Sequence, residues 1–177
     1  MGTFAYRLLG AVSLDRSTFE ALEMDRAATR QAFLVVLLSS VAAGVGAGGW
    51  DGPRLSTLAA VTAIALVTWV AWVFLILEVG GQFLPERQTH VTTGELLRTV
   101  GFAAAPGLLQ IFAYFQDLTV PVFVASWAWM FAAMVVGIRQ ALDFSSLWRA
   151  ILVCALALLL VATAWVLLAL VLSQTVS

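Results

Sequence analysis

Residues 147–173 read LWRAILVCALALLLVATAWVLLALVLS, with no charge after Arg149. A helix needs about 20 mostly apolar residues to cross the hydrocarbon core of a bilayer, and nothing here interrupts one. Working back from this run finds four more. They extend from about Ala32 to Gly49 without a charge, from about Leu55 to Val79 with Glu78 as its one charge, from about Leu96 to Phe115, and from about Thr119 to Ile138. Of the 177 residues, 62% are hydrophobic and 11% charged, where a soluble domain carries roughly 45–50% and about 25%. The predicted fold is therefore all-α. An integral membrane bundle of five transmembrane helices occupies residues 31–177, and an amphipathic segment occupies residues 1–30.

The connections are short and carry breaker residues. Gly48, Gly49, Gly52 and Pro53 surround Trp50 and Asp51 in the first link, where glycine and proline end one helix and start the next. Gln116-Asp117-Leu118 joins the third and fourth runs, which forces an antiparallel hairpin. The longest link, about Gly80 to Gly94, is polar and holds Pro85, Glu86, Arg87, Gln88 and His90. In the first 30 residues, Ser17-Thr18-Phe19-Glu20 reads as a capping box, from which a helix is expected to run through Arg30 into the first span. The earlier piece, Phe4 to Leu14, spaces Phe4, Leu8 and Val12 by four. Such helices often lie in the headgroup plane, which is the favoured reading here over packing on the bundle. No cleavable signal is expected, because the first long apolar run starts only near Gln31. A myristoylation signal is not expected either, because Tyr6 stands where that motif needs Ser or Thr.

All nine basic residues are arginines. Arg7, Arg16, Arg26, Arg30, Arg87, Arg98, Arg139 and Arg149 fall on one side of a five-span arrangement and only Arg54 on the other. The positive-inside rule then places the N-terminus in the cytoplasm and the C-terminus on the opposite side. Four or six spans would break this segregation. A net charge of −1 without a basic cluster argues against nucleic acid, which needs clustered basic residues for phosphate contacts. Cys154 is the sole cysteine, sits inside an apolar run, and excludes an intrachain disulfide. His90, the sole histidine, has no second metal-ligand type beside it. No Ser/His/Asp grouping, phosphate-cradling glycine loop or paired intramembrane carboxylate is present, so no catalytic, cofactor or metal residues are assigned.

The candidate residues are structural or interaction residues. Glu78 shares a helical face with Thr57, Thr68, Ala71 and Leu75, a stripe expected to face the bundle. A carboxylate in a membrane is costly and is a functional candidate, but Glu78 lies near the cytoplasmic interface, where an ion pair with an arginine is the favoured reading over an ion pathway. Glu78, Glu95, Arg98, Arg139, Asp143 and Arg149 fall at similar depth. They are expected to form one cluster tying the second to fifth spans, with Glu78 and Asp143 each in reach of an arginine and Asp143 capping the fifth helix. Pro106 removes a helical hydrogen bond and is expected to kink or break the third span. A packed kink is favoured over a transport site. Gly44 with Gly48, and Ala43 with Ala47, are small-residue pairs that permit close helix approach. Trp50 and Trp148 fit interfacial belts, and Trp69, Trp72, Trp127, Trp129 and Trp165 read as packing residues.

Three segments taken in register carry a resemblance. Asp25-Arg26-Ala27-Ala28-Thr29-Arg30-Gln31-Ala32-Phe33 opens the first span. Gly94-Glu95-Leu96-Leu97-Arg98-Thr99-Val100-Gly101-Phe102-Ala103-Ala104-Ala105-Pro106-Gly107 opens the third, and Arg139-Gln140-Ala141-Leu142-Asp143-Phe144-Ser145-Ser146 joins the fourth to the fifth. Their order resembles the bacterial branch of the Yip family, the Ypt/Rab-interacting multi-pass membrane proteins. The resemblance covers about Leu8 to Leu172. It implies a five-helix bundle with a cytoplasmic N-terminus and a non-enzymatic role, and it brings no catalytic residues. Eukaryotic relatives are associated with small GTPases and vesicle traffic. The all-arginine, alanine-rich make-up points instead to a bacterial inner membrane, where Rab traffic is absent. The expected function is a membrane scaffold or interaction protein whose partners are lipids, other membrane proteins or a second copy of itself. The alternative is a small transporter or channel, which needs a polar lining from Glu78, Thr68, Gln110, Thr62 and Thr163.

Overall fold

The computed structural model describes residues 2–48 and 55–175. The first link, with Trp50 and Arg54, lies outside the described residues, as do Ser177 and the side chains of Thr57 and Trp165. The described chain is helical, with no strand among its elements. It runs α1 (Gly2–Val12), α2 (Arg16–Met24), α3 (Ala28–Gly48), α4 (Leu55–Glu78), α5 (Thr93–Ala103), α6 (Thr119–Ala141) and α7 (Leu147–Thr175). A π-turn at Val79–Phe83 prolongs α4, and a 3₁₀ helix at Ala105–Tyr114 prolongs α5. Five segments are long and apolar enough to cross a membrane: Ala28–Gly48, Leu58–Phe83, Thr93–Tyr114, Thr119–Ala141 and Leu147–Ala164. These are the five runs read from the sequence.

The third segment is the axis of the bundle. Of its most apolar stretch 67% is buried, against at most 39% in each of the other four. One core cluster joins α4, α5, α6 and α7 through Val73, Ile76, Leu96, Ile138, Leu142 and Val153. A second joins α1, α2, α3, α5 and α6 through Ala11, Phe19, Leu22, Val35, Phe102 and Ala133. Lipid tails are as apolar as these side chains, so close packing, not apolar transfer, must hold the spans together. Small residues supply it. A Cβ at Gly46 would collide with the Gln110 carbonyl oxygen, and one at Gly101 would stand 2.8 Å from the Ala32 Cβ. Gly44, singled out from the sequence, packs instead against Leu58 of α4.

Pro106 breaks the third segment as expected. α5 stops at Ala103, and the chain continues as a 3₁₀ helix with the proline in its first turn. The backbone groups freed there find partners. The Ala104 N–H donates to Gly101 and Phe102, and the Ser39 hydroxyl of α3 donates to the Ala104 carbonyl at 2.8 Å. A break at membrane depth is tolerated where protein satisfies it in this way. The 3₁₀ rise of about 2.0 Å per residue also lengthens the segment.

The N-terminal segment corrects three expectations. Asp15, not Ser17, caps α2: its carboxylate accepts from the Ser17 and Thr18 N–H groups at 3.3 and 3.2 Å. It also takes both hydroxyls at 2.7 Å, which leaves Ser17 unable to act as the cap. No continuous helix runs through Arg30. Asp25 is extended, accepts from the Ala27 N–H at 2.9 Å and pairs with Arg7 at 2.5 Å. This local side-chain bond competes with helix continuation. α1 and α2 therefore form a hairpin, and it is packed on the bundle, where the favoured expectation is placement in the headgroup plane. Phe19 and Leu22 are fully buried, and the Trp129 indole of α6 donates to the Val12 carbonyl at 2.8 Å. That contact lies about 18 Å along α6 from its end at Ala141, so α1 is sunk against the spans with Tyr6 and Leu9 facing outward. Trp127, expected to pack, is 66% exposed on the outer face of α6.

Candidate functional site at the charged face

The α1–α2 hairpin, the link before α5 and the α6–α7 turn meet at one end of the bundle. Each is held by local chemistry. Thr92 and Glu95 form a reciprocal capping box at the start of α5, with the Thr92 N–H donating to Glu95 at 2.6 Å. α6 ends in a left-handed turn. Asp143 has φ 52°, its N–H donates to the Gln140 carbonyl at 3.0 Å, and the Phe144 N–H reaches the Arg139 carbonyl at 3.0 Å. This is the Schellman pairing that closes helix C-termini.

Arg98 is the charged side chain buried in this end, at 5% exposure. Its Nε donates to the Leu22 carbonyl at 2.9 Å and its Nη2 to the Glu23 carbonyl. These are carbonyls of the last turn of α2, which have no helical partner and sit at the negative end of the helix dipole. One guanidinium thus closes α2 and fastens it to α5. Arg139 acts similarly on the α6–α7 turn, donating to Phe144 at 3.2 Å and Ser145 at 3.0 Å through their carbonyls.

The expected carboxylate cluster is corrected. The described residues contain two ion pairs, Arg7–Asp25 and Arg149–Glu86, and neither Glu78 nor Asp143 takes part. Glu78 lies on the exposed side of α4 with Thr68 and Ala71, while Trp72, Val73, Ile76 and Val79 face the bundle. Asp143 is also exposed, and it ends α6 instead of capping α7. The group that gathers the elements is Glu86, in the link. It pairs with Arg149 at 3.2 Å and accepts from the Ser145 N–H at 3.2 Å, the Ser145 hydroxyl at 3.1 Å and Gln88 at 2.5 Å. Gln88 also reaches the Asp143 carbonyl at 3.1 Å. Of the six candidates, Arg139, Asp143 and Arg149 gather at the α6–α7 turn, Arg98 and Glu95 hold α5, and Glu78 stands apart. The Thr-x-x-Glu spacing at Thr92 was readable as a cap. Nothing local marked Glu86.

Among the carboxyls at this face, Glu86 and Glu23 are displaced in opposite directions. Hydrogen bonds from the Ser145 N–H, the Ser145 hydroxyl and Gln88, with Arg149 beside them, hold Glu86 below its ordinary range. Partial burial, together with the carboxylates of Asp143, Glu95 and Glu20, pushes Glu23 up to about 7 against the pull of Arg98. Among the described residues no group of three metal-ligating side chains occurs.

No curated protein and no solved structure matches the chain. The Yip1 domain matches residues 11–168, a stretch that takes in α2, the core of every spanning segment and both links at the charged face. With five helices able to cross a membrane, four of them arranged around the central broken one, the chain is a multi-pass membrane protein and belongs to the Yip1 domain family.

Proposed function

We propose that the protein is a non-enzymatic scaffold or interaction protein of a bacterial inner membrane, with its charged face in the cytoplasm and its C-terminus on the far side. The observation that carries this reading is the preformed platform at the charged face. Arg98 fixes α2 to α5, Glu86 fixes the link to α7, and Arg16, Glu20, Arg26 and Arg30 are left exposed on the platform. Ordered, exposed charge on a rigid support suits recognition of a partner's surface. The transporter reading rests on the break at Pro106. There, Ala105, Pro106, Gly107 and Gln110 are buried, and Gln110 bonds Ser126 of α6 at 3.0 Å. The break is packed with protein, which favours the scaffold.

The test has two arms. A photo-crosslinking residue at Glu20 or Arg26 should trap one defined membrane or cytoplasmic protein in cells, and Arg98→Met, which frees α2, should abolish the product. The purified chain in liposomes should pass no protons or cations above empty vesicles. A flux that Glu78→Gln abolishes would overturn the scaffold in favour of the transporter.

A further inference from the structure

At the charged face, between the start of α2 and the end of α6, lies a cavity of about 230 Å³ lined by Arg16, Arg139, Gln140, Asp143 and Phe144. Its lining carries both signs of charge. Arg16 makes no hydrogen bond or ion pair among the described residues, and the Asp143 carboxylate likewise accepts none. Arg16 and Asp143 line one cavity yet do not close to within salt-bridge distance of each other. Their backbones explain the gap. Asp143 is pinned in the left-handed turn, and Arg16 is pinned in the first turn of α2 by the Asp15 cap. Arg139 is held with two of its nitrogens on the Phe144 and Ser145 carbonyls, so its position is set before any ligand arrives. The N–H groups at the start of α2 are already taken by Asp15, so the guanidinium groups, not the helix end, are the anion-binding feature.

We infer that this cavity binds a headgroup carrying a phosphate and an ammonium together, the phosphoethanolamine chemistry of a zwitterionic phospholipid. Arg16 and Arg139 take the phosphate, for which the planar guanidinium fork is suited, and Asp143 takes the ammonium. A bare anion meets Asp143 as a like charge, which is the basis of selection. Apolar surface for the chains is offered by α1 and α6, which meet at the Trp129–Val12 bond and expose Leu9 and Trp129. The inference rests on the membrane placement of the charged face and not on any protein partner. Crosslinking from Glu20 can therefore fail while the headgroup site stands.

The experiment is native mass spectrometry of the full chain in detergent with equal phosphatidylethanolamine and phosphatidylglycerol. Phosphatidylethanolamine should be retained preferentially. Arg16→Gln should cut retention of both lipids by about tenfold, the loss of one charge-assisted contact. Asp143→Asn, which keeps a residue tolerant of the left-handed turn, should weaken phosphatidylethanolamine alone and erase the preference. Thermal unfolding checks that both variants fold. A third arm adds soluble glycerophosphoethanolamine. Displacement of the lipid at equal concentration assigns the same site to a soluble ligand, and lack of displacement assigns it to the lipid. Equal retention of the two lipids by the unmodified chain, or retention indifferent to both variants, overturns the site.

Discussion

Arg98 shows how one buried charge in this bundle is made tolerable. A guanidinium removed from water is expensive unless its donors are satisfied, and here the acceptors are the carbonyls that end α2. Replacing it strands those carbonyls as well as deleting two bonds. Arg98→Met is expected to cost about 3 kcal/mol in reversible unfolding in detergent, and hydrogen exchange should show α2 opening first. Glu23, beside it, makes the same dock sensitive to pH. Its folded-state pKa of about 7 lies above the ordinary 4.5, so the folded protein holds this proton more tightly than the unfolded chain does. The resulting stability is fully present below about pH 4.5 and is lost as pH rises through about 7. Melting temperature should therefore fall between pH 5.5 and 8, and Glu23→Gln should raise it at pH 8 and flatten that slope. A slope unchanged in Glu23→Gln would mean that another group is responsible. At Asp143 the left-handed backbone is strained for a residue with a Cβ, so Asp143→Gly should stabilise the protein in detergent by roughly 0.5–1 kcal/mol.

Among the elements, the third span departs most from regular geometry and carries the most packing. Its 3₁₀ half lies against α3 so closely that Gly46 and the Gln110 backbone touch. A methyl group there meets backbone, which cannot swing aside as a side chain can. Gly46→Ala is expected to destabilise by about 1–3 kcal/mol, whereas Gly44→Ala meets the flexible end of Leu58 and should cost less. Comparative unfolding of the two variants decides it, and an equal effect would place the tight contact elsewhere. The break itself was legible because proline acts locally. That ten residues beyond it wind as 3₁₀ was not, because that depends on how Ser39, Met130 and the α3 backbone surround them.

For the molecule as a whole, tags after Ser177 and in the Pro85–Val91 loop should report opposite sides of the membrane. Two cytoplasmic readings would sink the five-span topology and, with it, the proposed orientation. The number, length and order of the spans follow from the chain itself, since an apolar run of about 20 residues has one stable arrangement in lipid, a helix with all its backbone bonds internal. The position of the break and the gathering of arginines at one end follow in the same way, because proline sterics and the charge bias of loops act on short stretches. The tertiary structure decided which faces pack. Glu78 looked bundle-facing by helical spacing, but spacing fixes only which residues share a side, not which side meets protein, and in lipid both sides can be apolar. It also decided the partners of the charges. The arginines at the charged face close helix ends and turns, and Glu86, in an irregular link, holds the position expected of Glu78 and Asp143. The Arg98 and Glu86 pairings join residues far apart in sequence, so no local pattern encodes them and only the packed chain brings them together.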